Sequence, residues 1–118
     1  MTASPLLSLD AVAIIDKPGS FPMASVISIW EVAVKWAIRR GRPQDMPMSG
    51  TAFVAELLQA GVPVLDVMAS HAAALDDLAL HHRDPFDRFL VAQAQAEAMI
   101  LLTQNKALAA YGDCVMVV

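Results

Sequence analysis

Two short stretches set a small polar residue three positions before a carboxylate: Ser28-Ile29-Trp30-Glu31 and Asp84-Pro85-Phe86-Asp87. Both fall where a helix is expected to begin. In a capping box, the first side chain accepts from a backbone N–H of the opening turn, and the acid at the third helical position satisfies another. Either acid also complements the positive end of its helix. Carboxylates fixed beside other oxygen donors have a second use, which is to hold a hard cation such as Mg²⁺ or Mn²⁺. Such an ion can activate water and neutralise charge on a phosphodiester. Thr103 and Asn105 follow a predicted strand and would bring further oxygens to that crevice. The spacing leaves both uses open.

Other reactive groups carry less. His81-His82 has no second His/Cys cluster to complete a metal site and is read as a loop pair, and His71 has no visible partner. Cys114 lies beside a predicted core strand and is read as a small buried hydrophobe. There is no glycine-rich phosphate loop and no serine nucleophile elbow. Lys35, Arg39, Arg40 and Arg42 are four of the eight basic residues. They form either a solvated helix face or a local phosphate contact.

These groups must be held by the elements around them. Ser4-Pro5 followed by residues 6–16 predicts a short helix, stopped by Pro18-Gly19. Strands are predicted over 24–27, 62–67, 99–102 and 115–118. Helices are predicted over 29–40, closed by Gly41 and Pro43, and over 51–60, ended by Gly61. Further helices are expected over 69–78, 85–98 and 106–111. The alternation implies a parallel α/β sheet covered on both faces. Ligands in such sheets bind outside the carboxyl ends of the strands, where Ser28, Glu31, Thr103 and Asn105 fall. Trp30, Val34, Phe86, Phe89 and Leu90 are expected in the core, the last three on one helical stripe.

The 118 residues make one domain, 1–118, with 57% apolar residues and a mean hydropathy of +0.52. That composition excludes disorder, and no apolar run approaches the roughly 18 residues that span a bilayer. The start has no basic leader, and Asp10 and Asp16 interrupt its apolar stretch. A single cysteine rules out an internal disulfide and fits a reducing cytoplasm. Net charge is −4, the wrong sign for binding nucleic acid by charge alone.

ASVISIWEVAVK (24–35), HHRDPFDRFLVAQA (81–94) and LLTQNKALAAYG (101–112) together resemble the PIN-domain proteins of bacterial VapC-type toxin–antitoxin systems. The resemblance implies a three-layer α/β/α domain that cuts RNA with Mg²⁺ or Mn²⁺ held by acids. It gives Glu31 and Asp87 the catalytic and metal-binding roles, Asn105 a further metal contact, and Ser28, Asp84 and Thr103 supporting ones, with Asp84 as helix cap. Lys35 and Arg39 become candidate RNA contacts. A small cognate antitoxin and a homodimer are implied as partners, in the cytoplasm and away from membranes. Family chains open on an apolar strand ending in aspartate, whereas this sequence aligns from the first helix onward. The first, central strand and its acid are therefore expected to be missing. Related sequences often carry Asp where Asn105 stands, so a charge is lost there. An inactive remnant that still binds antitoxin is the alternative function.

Overall fold

The structure, a computed structural model, describes Leu9 and residues 11–118. Ser4, Pro5 and most of the first half of the helix expected over 6–16 lie outside the described residues. Its second half is a strand, β1 (Ala11–Ile15). The run AVAII is apolar on both faces and three of its five residues are β-branched, so it suits a position with a backbone on either side. β4 (Ile100–Thr103) lies on one side, antiparallel, with Ile15 opposite Ile100 and Ala11 opposite Thr103. On the other side Ile14 and Met23 exchange both backbone hydrogen bonds, at 2.9 and 2.8 Å. A helix would forgo both ladders.

Residues 16–22 turn the chain back, with Gly19 at φ 86°. A connection that short permits only an antiparallel return. β2 (Ala24–Ser25) then pairs in parallel with β3 (Val64–Leu65), and β4 pairs in parallel with β5 (Val115–Val117). Through the Ile14–Met23 pair the order reads β3-β2-β1-β4-β5. β1 runs against its neighbours on both sides, so the other four strands all point the same way. The sheet is thus mixed, not parallel throughout as expected. Among the described residues β1-β4-β5 and β2-β3 form two ladders, joined beside β1 by the single Ile14–Met23 bridge.

Among the described residues the α-helices are four: α1 (Val26–Ala37), α2 (Gly50–Ala60), the short α3 (Ala69–Ala73) continued by a 3-10 turn over Ala74–Asp77, and α4 (Pro85–Ala96). β2 passes into α1 without a loop. The Ser25 hydroxyl oxygen accepts from Ile27 N–H at 3.0 Å, so α1 opens three residues before the expected start. α2 is capped by Ser49 and stopped by Gly61, whose left-handed backbone (φ 70°) returns its N–H to the last turn. α4 reverses into β4 through residues 97–99. The opening of α4 therefore lies toward the carboxyl end of β4. A 3-10 helix over Lys106–Tyr111 links β4 to β5.

The core divides into two clusters. Ile14, Ile27, Leu90, Val91, Leu101 and Leu108 form one, and Val32, Met46, Phe53 and Leu57 belong to the other. α4 buries Leu90, Val91, Ala92, Gln93 and Ala94 in succession, so most of its circumference is enclosed. Among the described residues, no helix is long and apolar enough to cross a membrane.

Candidate active site

The carboxyl ends of β2 and β4 share one rim, since these strands run the same way. α1 continues outward from that rim, and α4 begins toward it. Their side chains show how the two helices lie together. Ser25, at the start of α1, donates its hydroxyl to Gln93 Oε1 late in α4, at 2.6 Å. Five residues on, the Trp30 ring meets the Phe86 ring edge-on, centroids 4.8 Å apart, at the start of α4. The helices therefore pack antiparallel, with the opening turns of α1 running along α4. Glu31 and Asp87 are the residues next to that ring pair, and both are buried, 4% and 2% exposed.

The local reasons for their burial differ. Asp87 is the third residue of α4, where the sequence places it. Asp84 caps the helix, its Oδ1 accepting from Phe86 N–H at 2.9 Å and Asp87 N–H at 3.1 Å. The Asp87 carboxylate meets His82 Nε2 at 3.0 Å. Glu31 is no cap. Because Ser25 opens α1, Ser28 becomes the third helical residue, buried rather than capping, and Glu31 falls in the second turn. Its carboxylate takes an ion pair from Lys35 Nζ at 2.6 Å, one turn along. A carboxylate withdrawn from water needs such partners.

Thr103 ends β4, fully buried, and its Oγ1 accepts from Asn105 N–H at 3.0 Å. Asn105 caps the 3-10 helix, its Oδ1 accepting from Ala107 N–H at 3.0 Å. The candidate RNA contacts separate. Lys35 lines a cavity of about 200 Å³ with Arg42 and Asp45. Arg39 folds back instead, its guanidinium 3.6 Å over the Trp36 ring and bonded to the Trp36 carbonyl at 2.8 Å. Arg42 pairs with Asp45 at 3.0 Å. Backbone N–H groups of Arg40 and then Arg42 hold the Asp45 carboxyl below its ordinary range.

Four of the five core expectations also need amending. Trp30 and Val34 are 48% and 37% exposed. Phe86 and Phe89 are half-buried, and only Leu90 is fully enclosed. Sequence reasoning missed His82 beside Asp87, and it missed Gln93 and His71, both fully buried. A histidine five residues before an acid was signal enough for the first contact. Nothing local announced the other two.

A family model described as the PIN domain matches residues 7–113. The chain belongs to the PIN domain family. PIN domains are generally metal-dependent nucleases acting on RNA or DNA. No curated protein and no solved structure matches the chain. PIN domains usually use divalent metal ions. Among the described residues, no three of the His, Cys, Asp and Glu side chains form a group that could hold a metal ion. Mg²⁺ does not require three, since it commonly takes one or two carboxylates and keeps water or substrate phosphate in its other positions.

Proposed function

We propose that this PIN domain is a VapC-like toxin that hydrolyses RNA phosphodiesters with Mg²⁺ or Mn²⁺, held in check by a small cognate antitoxin. The observation that carries the proposal is the pair of buried acids flanking the Trp30–Phe86 contact. Each acid has a partner of its own, Lys35 for Glu31 and His82 for Asp87, and carboxylate oxygens of this kind suit a hard cation. Glu31 and Asp87 would hold the ion, with Asn105 as a neutral oxygen beside them. When bound, the cation supplies Lewis-acid activation of water and offsets charge on the phosphodiester. Thr103 holds the backbone leading into Asn105, Ser28 would support the turn that carries Glu31, and Asp84 fixes the turn that carries Asp87. Lys35, and Arg39 once turned away from Trp36, would meet RNA phosphates. A homodimer in the cytoplasm, with helices covering both sheet faces, completes the proposal.

The competing function is a silent module that binds antitoxin without chemistry. It draws support from the absence of a three-acid cluster among the described residues. Titration of the native chain with Mn²⁺, followed by RNA cleavage assays, separates the two. Saturable Mn²⁺ binding and cleavage should both appear, and both should be lost in Glu31→Gln and Asp87→Asn, with rates down by about 10²-fold or more. Absence of both in the folded native chain would leave the binding module as the better account.

A further inference from the structure

We infer that Gln93 is a positioning residue for the nuclease centre, acting through a buried hydrogen-bonded network that fixes α1 against α4. The inference rests on the proposed metal-dependent ribonuclease activity. Ser25, Gln93 and His71 are all 1% exposed or less, and they come from the cap of α1, the body of α4 and α3. The Gln93 amide N–H₂ donates to the Asp66 carbonyl at 3.1 Å and faces His71 Nδ1 at 3.3 Å. His71 Nδ1 also accepts from Met68 N–H at 2.9 Å, so its ring proton sits on Nε2 and is donated to Glu97 Oε1 at 2.6 Å. At the other end Gln93 Oε1 accepts the Ser25 hydroxyl proton, and Ser25 Oγ accepts from Ile27 N–H. Every bond in this series has one direction only. No buried side-chain N or O lacks a partner among the described residues.

Leucine would fill the Gln93 site without burying polar atoms. A fully satisfied polar network instead enforces one relative placement of the elements it joins. Here it joins α1 to α4. Ser25 lies six residues before Glu31, and Gln93 six after Asp87. The tie is thus about 9 Å along each helix from the acid that helix carries. The second tie, Trp30 on Phe86, is an aromatic contact with an exposed outer side and tolerates sliding. Metal ligands and reacting groups do not tolerate sliding, since about 1 Å of misplacement can cost on the order of 10²-fold in rate.

The test uses the full chain, with Mn²⁺ binding followed by loss of the free-ion electron paramagnetic resonance signal and RNA cleavage measured separately. Gln93→Leu should weaken Mn²⁺ binding about 10-fold or more and lower kcat comparably, the usual scale for groups that orient metal ligands. KM for RNA should stay within about twofold, because substrate contacts are untouched. Leu57→Ala, a core truncation on α2, should cost at least as much thermal stability while leaving Mn²⁺ affinity and kcat near native. Ser25→Ala cuts the same link from the other side and serves equally if Gln93→Leu fails to fold. The double variant should be no worse than the worse single. Native-like Mn²⁺ affinity and kcat in Gln93→Leu, or singles whose effects multiply in the double, would overturn the inference. If the native chain itself neither binds Mn²⁺ nor cuts RNA, the nuclease function fails first and the inference falls with it.

Discussion

Removing the α4 cap offers a measurement whose size can be worked out beforehand. Asp84→Ala deletes an oxygen that accepts from both Phe86 and Asp87 N–H groups. Loss of a capping side chain costs about 1 kcal/mol, and loss of a negative charge at the helix start adds about 0.3–1 kcal/mol. The sum, about 1.5–2 kcal/mol, corresponds to a fall in Tm of roughly 5–10 °C for a chain of this size. Asp84→Asn restores an acceptor with cap geometry but not the charge, so it should sit about 0.5 kcal/mol below native. Denaturant and thermal unfolding of the three proteins give the comparison directly. The first turn of α4 also carries Asp87, so Mn²⁺ affinity should fall further in Asp84→Ala than in Asp84→Asn. An Asp84→Ala variant within about 0.3 kcal/mol of native, or an Asp84→Asn variant as damaged as Asp84→Ala, would refute the capping argument.

Asp45 gives the pH-dependent case. Its folded pKa lies below the ordinary value of 3.8 because Arg40 and Arg42 N–H groups favour the carboxylate. That stabilisation is fully present above the unfolded pKa and is lost as pH falls through the lower folded value. Asp45→Ala should therefore be less stable than native at neutral pH and converge with it in strong acid; a constant gap down through that range would contradict the linkage. Gly50 tests the packing of α1 on α2. A Cβ there would lie 3.0 Å from Ala33 Cβ, so Gly50→Ala should cost about 1 kcal/mol net of the helix-propensity gain. Adding Ala33→Gly should return part of that loss, whereas purely additive damage would show that the two positions do not compete.

How much of this could be read from sequence depended on whether the deciding signal was local. The bounds of α2, its Gly61 stop and the Asp84 cap follow from residues that act on their own backbone, and the structure places them where the sequence does. β1 was not legible, because a five-residue apolar run fits a helix or a strand equally well. Its outcome depends on β4, nearly 90 residues away, offering a ladder. Ser25 and Ser28 are both acceptable caps three residues apart, and only the pairing of β2 with β3 decides where the strand ends and the helix begins. The Ser25–Gln93 bond spans 68 positions and has no signature in either neighbourhood.

The two acids that looked alike in sequence are not alike in the fold, and the difference ranks them. Asp87 has a sufficient local explanation, since a carboxylate at the third position of a capped helix faces the positive end of the peptide dipoles. Its burial would be reasonable without any ligand. Glu31 has no such duty. It lies in the second turn, performs no cap, and is nonetheless 4% exposed, with the Lys35 ammonium at 2.6 Å. Glutamate is rarely that enclosed without charge pairing. Under the proposed nuclease function a cation would be held at that point. Glu31→Gln therefore discriminates between a working centre and a silent one more sharply than Asp87→Asn, in which loss of a helix-start charge and loss of a ligand are mixed.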